Sequence, residues 1–362
     1  MRCEKCGNTI KELFIYKNNE FICRKCLMYK DKEIDFKRNN SNGEYNLNYE
    51  LTKEQKKASE FLLENVKNKK NCILNAVTGA GKTEIIYPLI KYCVDERLNI
   101  AIAIPRKDVV IELYNRISGD FKCAKTICVY GGHNEEIFAD IVILTTHQLY
   151  RYKKHFDVIV LDEVDAFPFY NNNVLMHFLK RSSKGAVIYM SATIPFELLK
   201  KDYPIFYLNK RYHGNKLDVP KVKYFWNLNT IKKYIKRHSD SIIIVYFPTI
   251  KLQNKISKKI KINHYVINSK TVNRKEILAH LHNLKSGVIF STLVLERGVT
   301  FKNTNVIVYW GDHCLFKFEN LVQISGRVGR NKLYPHGDII FLVKYKNKNI
   351  RKAIKFIKKC NE

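Results

Sequence analysis

Apolar residues along this chain gather in short runs that polar and turn residues interrupt. The first set reads as strands at Cys72 to Ala76, Ile100 to Ile104, Ile127 to Tyr130, Ile141 to Leu144, Val158 to Leu161 and Val187 to Met190. Helix-period stretches separate most of them, and this alternation specifies a parallel sheet covered on both faces. The pattern pauses over Tyr203 to Pro220, where Gly214 and the prolines fall. It restarts with strands at Ile242 to Phe247, His264 to Ile267, Val288 to Ser291, Val306 to Tyr309 and Ile339 to Leu342. Two α/β domains with a cleft between them are the expected outcome. A closing helix at Ile350 to Lys359 carries Ile350, Ala353, Ile354 and Ile357 on one face and lysines on the other, which suits docking onto the second sheet better than contact with a membrane surface.

Ahead of the first sheet the pattern changes character. Cys3-x-x-Cys6 and Cys23-x-x-Cys26 form two identical pairs, with Gly7 where a knuckle turn needs it, and Phe14, Ile15, Tyr16, Phe21 and Ile22 alternate as a two-stranded element between them. Four thiolates so spaced can close a tetrahedral zinc site, structural because no coordination position stays open for a substrate water. A redox dithiol and two disulfides are the alternatives. Lys5, Arg24 and Lys25 beside the thiols permit phosphate contact. The module is expected over residues 1–30. The polar, Asn-rich stretch that follows reads as a linker over 31–50.

Charge sharpens this organisation. The 362 residues hold 64 Lys and Arg against 34 Asp and Glu, a net +30 that opposes compaction and points to a polyanionic partner, nucleic acid first. Lys-rich, Asn-rich codon usage accounts for many single lysines without accounting for the whole excess. No apolar run approaches the roughly 18 residues a spanning helix needs, and MRCEKCGNTI lacks the apolar core of a secretory leader, so a cytosolic location with reduced thiols is expected. Cys72, Cys93, Cys123, Cys128, Cys314 and Cys360 then read as small core hydrophobes.

Four motifs carry chemistry. AVTGAGKT follows a buried strand and opens a helix, the context of a phosphate-binding loop formed by Thr78, Gly79, Ala80, Gly81, Lys82 and Thr83. The glycines let backbone N–H groups approach the β-phosphate, Lys82 reaches the β- and γ-phosphates, and Thr83 can ligate Mg²⁺. In DVIVLDEVDAF, Asp162 and Glu163 emerge at the carboxyl edge of the sheet, where Asp162 can hold Mg²⁺ through water and Glu163 can polarise the attacking water. SAT, at Ser191 to Thr193, is a coupling element. QISGRVGR supplies Gln323, Arg327 and Arg330. Two arginines three apart on a helix lie nearly on one face and could reach across the cleft to a γ-phosphate, coupling hydrolysis to domain closure. Pairing with surface acids is the alternative, and few acids lie nearby in sequence.

In this order the motifs resemble motifs I, II, III and VI of superfamily-2 helicases and translocases, from about Leu51 to the C-terminus. The resemblance implies ATP hydrolysis between two tandem RecA-like domains, at 51–205 and 206–362. It also implies nucleic-acid contacts. IPRKDVV resembles motif Ia, with Arg106 toward a phosphate; VYGG, ending at Gly132, and TTHQL, with Thr145, Thr146 and Gln148, resemble further strand-tracking elements. VYFPT resembles motif IV, with Thr249, and STLVLERGVTF resembles motif V, with Thr292 and Arg297 as contacts and Gly298 permitting a tight turn next to the nucleotide. Threonines at strand ends serve equally as helix caps. Gln55 resembles the glutamine that reads adenine in such enzymes, or is an exposed helix residue.

DEVDAFPF, LERGVTF and QISGRVGR together with the four cysteines resemble the ComFA family of competence ATPases. That resemblance implies a zinc-bearing ATPase, stimulated by single-stranded DNA, that pulls transforming DNA into the cell at the inner face of the membrane. The DNA-uptake channel and a phosphoribosyltransferase-like competence protein are the implied partners, and self-association is open. A duplex-unwinding helicase, of the replication-restart type or acting on RNA, shares the motor motifs. A nucleic-acid-binding scaffold that uses ATP only as a conformational ligand would keep the zinc module and basic surface without turnover.

Overall fold

The buried apolar runs form the strands of two parallel sheets, and a small antiparallel hairpin precedes them. The computed structural model describes residues 1–17, 19–27, 41–133, 136–224, 228–272, 274–296 and 301–362. By contact these divide into one unit of Met1–Ala76 with Gly81–Leu208, and a second of Val77–Ala80 with Asn209–Glu362.

The first unit begins with an antiparallel hairpin, β1 (Phe14–Lys17) and β2 (Glu20–Cys23), in which Phe14 faces Cys23 and Tyr16 faces Phe21. Next comes α1 (Lys53–Lys67), started by a capping box in which Thr52 and Gln55 satisfy each other's backbone N–H groups. It buries Gln55, Ala58, Ser59, Leu62, Asn65 and Val66 at helical spacing. The motor elements are β3 (Cys72–Ala76), α2 (Lys82–Ile85), α3 (Tyr87–Asp95), β4 (Ile100–Ile104), α4 (Lys107–Asp120), β5 (Thr126–Val129), β6 (Ile141–Thr145), β7 (Phe156–Asp162), α5 (Asn173–Ser182), β8 (Ser183–Ser191), α6 (Phe196–Leu199) and β9 (Ile205–Leu208). The seven motor strands lie in the order β5-β6-β4-β7-β8-β3-β9, all parallel. This order sets β8 between β3 and β7, so the strand that ends in Ser191 separates the phosphate-loop strand from the carboxylate strand.

The second unit contains β10 (Lys221–Tyr224), α7 (Asn229–Arg237), β11 (Ile242–Tyr246), α8 (Ile250–Lys259), β12 (Tyr265–Ile267), α9 (Arg274–His282), β13 (Gly287–Ser291), β14 (Thr304–Tyr309), α10 (Phe318–Ser325), β15 (Ile339–Val343) and α11 (Lys348–Cys360). Its parallel sheet runs β10-β15-β14-β11-β13-β12. In β11, Ile242, Ile244 and Tyr246 enter one core layer, while Ile243 and Val245 enter the other. Both faces are covered, so the run is apolar throughout instead of alternating. Helix α11 buries Ile350, Ala353 and Ile357, with Ile350 and Ala353 in the layer that holds β14 and β15. The docked reading of this helix therefore fits.

Two departures from the sequence pattern have physical causes. Strands β9 and β10 lie inside or beside the expected pause; both are edge strands, β9 a partly buried four-residue run directly after Pro204 and β10 a mostly exposed strand in which lysines alternate with Val222 and Tyr224. Residues 41–50, in the stretch expected as linker, lie against the first unit. Gly43 N–H donates to Asp95 (2.7 Å), and the Tyr45 ring sits 5.5 Å from Tyr87 and 5.2 Å from Phe121. Tyr49 O–H donates to Glu84 (2.8 Å). Polar composition hides this strap because it is held by tyrosines and hydrogen bonds. Among the described residues, no helix is long and apolar enough to cross a membrane.

Candidate active site and metal centre

Chain direction at the end of β3 is set by two glycines. Gly79 and Gly81 adopt φ of +80° and +79°, the left-handed region that glycine enters without steric cost, turning the loop into the start of α2. A Cβ at Gly81 would collide with the amide nitrogen of Gln55. Gln55 is 4% exposed, and its Oε1 accepts from Thr52 N (2.9 Å). The structure thus places Gln55 against the phosphate loop and rules out an exposed position on α1. Thr78 and Ala80 are buried, while Lys82 and Thr83 are half-buried at the loop's end.

Lys82 Nζ lies 3.7 Å from Asp162 Oδ1, so the loop cation meets the carboxylate at the end of β7. Asp162 Oδ1 also accepts from Glu163 N–H (2.8 Å). Glu163 has φ +56°, a left-handed conformation that costs a residue with a side chain about 1–3 kcal/mol and occurs where surrounding structure over-determines it. Thr83 and Asp162 offer the hydroxyl and carboxylate oxygens a hard cation such as Mg²⁺ prefers. Asp165 is a site residue that the motif spacing does not single out. It is buried, and its carboxylate accepts from Ser191 Oγ (2.5 Å) and Thr193 Oγ1 (2.6 Å), while Ser191 Oγ accepts from Thr193 N (3.1 Å). The last acid of DEVD thereby holds both hydroxyls of SAT.

In the second unit α10 ends at Ser325, with Arg327 in the turn that follows and Arg330 just after that turn, which corrects the expectation that they share a helix face. Gln323 is buried within α10. Arg327 is 3% exposed, with Nε on the Glu296 carbonyl (3.1 Å). Arg330 is half-buried, with Nε on the Gly326 carbonyl (2.8 Å). The two arginines thus differ in access, and Arg330 is the more accessible.

The strand-tracking positions also separate. Arg106 stands half-buried at the start of α4, and Gly132 turns with φ +83° in open space. Thr145 and Gln148 are buried, with Gln148 Oε1 taking a hydrogen bond from Arg151 (2.6 Å). Thr146 is completely buried, so its side chain has no surface to offer a strand. Thr249 caps α8 by accepting from Leu252 N (3.2 Å), and Thr292 precedes a short 3₁₀ turn. Arg297 and Gly298 lie outside the described residues.

At the N-terminus, Cys3, Cys6, Cys23 and Cys26 bring their sulfurs within 4.8 Å of one another. Sγ of Cys3 is 3.6 Å from that of Cys26, and Cys6 is 3.6 Å from Cys23. Disulfide sulfurs stand about 2.05 Å apart, and all four cysteines are free thiols. A tetrahedral zinc with Zn–S of about 2.3 Å requires sulfurs about 3.8 Å apart, so the donor set fits zinc. Gly7, with φ +71°, makes the knuckle by donating to the Cys3 carbonyl (2.8 Å), and buried Asn8 directs its amide at Cys23 Sγ (3.6 Å). Burial pushes the Cys6 thiol up to about 11, and burial together with the neighbouring thiols raises Cys26 further. Four thiolates can coexist here only around a cation. The module docks on α5, where His177 Nε2 donates to the Glu4 carbonyl (2.8 Å). Of the remaining cysteines, Cys72, Cys93 and Cys128 are buried as expected, whereas Cys123 and Cys314 are exposed and do not belong to the core.

The chain matches the type III restriction enzyme res subunit family over residues 48–196 and the helicase conserved C-terminal domain over residues 226–332. Among solved structures, the DEAD-box helicase Mss116 bound to ssRNA and UDP-BeF superposes with a TM-score of 0.65 at 19% identity, covering 81% of this chain and 70% of that one. RecG bound to a three-way DNA junction gives 0.58 at 15% identity, covering 88% and 48%. These likenesses show the fold alone: two tandem RecA-like domains. Competence protein ComFA of Streptococcus pneumoniae (strain ATCC BAA-255 / R6) is 34% identical over 391 residues, 99% of this chain and 90% of the relative. Competence protein ComFA of Bacillus subtilis (strain 168) is 31% identical over 401 residues, 100% of this chain and 86% of the relative. Likeness that runs through the cysteine segment and both helicase regions alike makes this chain a member of the ComFA family, ATP-hydrolysing enzymes of the helicase and translocase kind.

Proposed function

We propose that this protein is a translocase that uses ATP hydrolysis to move along single-stranded DNA and draws transforming DNA into the cell. The observation that carries the reading is Asp165, two residues beyond Glu163, holding Ser191 and Thr193. It gives the hydrolytic carboxylates a rigid link to a second loop of the same unit, which a protein that merely binds ATP does not need. Lys82 binds the β- and γ-phosphates, and Gln55 reads the adenine. Glu163 accepts a proton from the attacking water, and Arg330 neutralises charge that develops on the γ-phosphoryl, assisted by Arg327. Thr83 and Asp162 would hold Mg²⁺, which when bound would supply Lewis-acid polarisation of the phosphoryl oxygens. Arg106, Gly132, Thr249 and Thr292 contact the strand. Zinc at the four cysteines is structural. The protein works at the inner face of the membrane with the uptake channel and a phosphoribosyltransferase-like competence protein.

Translocation is tested by ATP-dependent displacement of streptavidin from a biotinylated single strand. The wild-type protein displaces it, and K82A and E163Q, folded by circular dichroism, do not. Turnover without displacement, or displacement by E163Q at the wild-type rate, contradicts the reading. Tailed duplexes in parallel detect strand separation.

A further inference from the structure

The segment after Asn209, which the sequence pattern presents only as a pause, contains a buried arginine that the functions above leave unused. Arg211 is 3% exposed. Its Nη1 donates to the carbonyl of Gly329 (2.5 Å), and its Nε donates to the carbonyl of Thr78, which belongs to the same unit (3.2 Å). His213 adds a second donor to the Gly329 oxygen through Nε2 (2.9 Å). The acceptor is a carbonyl, so Nε2 carries the hydrogen. Nδ1 accepts from Asn215 N–H (3.2 Å), which fixes the neutral tautomer.

Gly329 is the residue before Arg330, and its carbonyl belongs to the peptide that carries the Arg330 N–H. Two donors on one carbonyl therefore fix the orientation of that peptide. The glycine adopts φ +68°, and a Cβ there would run into the Pro335 carbonyl and come within 2.6 Å of Arg211 Nη1. Nothing larger than glycine fits while Arg211 holds this place. Burial lowers the Arg211 pKa to about 10, which still leaves the guanidinium charged at neutral pH. Its hydrogen bond to Gly329 is accordingly charge-assisted and among the stronger kinds available to a side chain. Asp218, which His336 contacts at 3.2 Å, carries a charge that favours the guanidinium and partly offsets the burial.

We infer that Arg211 and His213 are positioning residues for ATP hydrolysis: by clamping the Gly329 carbonyl they set the direction in which Arg330 leaves the backbone. The inference rests on the reading of Arg330 as the arginine that stabilises the transferring phosphoryl group. Misplacement of such a group by about 1 Å costs on the order of 100-fold in rate, so a clamp of this kind bears on kcat more than on KM.

Steady-state ATP hydrolysis with saturating single-stranded DNA, measured on the full chain, tests it through a double-mutant cycle. R330A, R211A and the double variant R211A/R330A are compared, with thermal melts to confirm folding. The expected result is a fall in kcat of about 10- to 100-fold in each single variant, little change in KM for ATP, and a double variant no slower than R330A alone. H213A gives a smaller fall, again absent in the R330A background. It keeps the test open if R211A does not fold, and R211K, which retains charge without the planar fork, recovers only part of the rate. If R330A lowers kcat and both R211A and H213A leave it unchanged, or if the R211A and R330A factors multiply in the double variant, the inference is overturned and Arg211 acts elsewhere, through Thr78 first. If R330A itself turns over normally, the reading of Arg330 fails and the inference falls with it.

Discussion

Lys82 and Asp162 sit far apart in sequence but 3.7 Å apart in the fold, because phosphate binding demands a cation at the loop's end and metal binding an oxygen donor at the end of β7, one strand removed from β3 in the same sheet. Requirements of this kind fix residue type as well as position, so the chain itself makes them legible. Asp165 was not legible. A third acid in DEVD looks like a surface carboxylate, and its partners, Ser191 and Thr193, come from another strand end. The same limit applies to Thr146 and Arg327, whose burial depends on neighbours supplied by distant segments. Replacing Asp165 by Ala should leave both SAT hydroxyls without their acceptor and cost about 1–3 kcal/mol of stability. It should also uncouple DNA binding from turnover. Denaturant titration checks the first effect and the ratio of DNA-stimulated to basal ATPase checks the second; an unchanged ratio in a folded D165N variant would show that this link is only structural.

Elements were legible where both faces of a strand are buried, as in β4 and β11, and illegible in β9 and β10, which are only partly buried and flank a stretch broken by Pro204, Gly214 and Pro220. The strap over 41–50 shows a different limit. Its anchor is a network in which Tyr49 and Arg116 both donate to Glu84, next to Thr83 of the phosphate loop. Burial alone would raise the Glu84 pKa, but the adjacent Arg116 guanidinium outweighs it and holds the pKa below the ordinary 4.5. A depressed carboxyl pKa contributes stability that is present above pH 4.5 and is lost as pH falls through the lowered folded value. R116A should therefore cost about 1–2 kcal/mol at neutral pH, allowing for the partial exposure of Arg116, and should flatten the acid limb of the stability curve. Urea midpoints measured from neutral pH down through the carboxylate range read both, and parallel wild-type and R116A curves would refute this role for the ion pair. The cysteine hairpin is an element of yet another kind, too small to hold itself together without a staple. One zinc per chain is expected by elemental analysis, lost in C23S and C26S; metal-free protein with an intact hairpin would overturn it.

Over the whole molecule, a net charge of +30 and a two-unit helicase fold describe an ATP-driven enzyme suited to a polyanionic track. The division into two α/β units was legible because each sheet announces itself by its own series of apolar runs. Membership of the ComFA family connects that enzyme to competence, and the sign of the charge predicts binding that weakens steeply as salt is raised. A scaffold that only binds nucleic acid shares the charge, the hairpin and the salt dependence. It differs in one respect: its ATP is not consumed faster when a strand is present. The most direct test is therefore the steady-state rate of ATP hydrolysis by the full chain at low salt, with no nucleic acid and then with single-stranded DNA, duplex DNA and RNA. Strong stimulation by single-stranded DNA, exceeding that by duplex or RNA and abolished in E163Q, is the predicted result; a rate that no DNA raises would contradict the account.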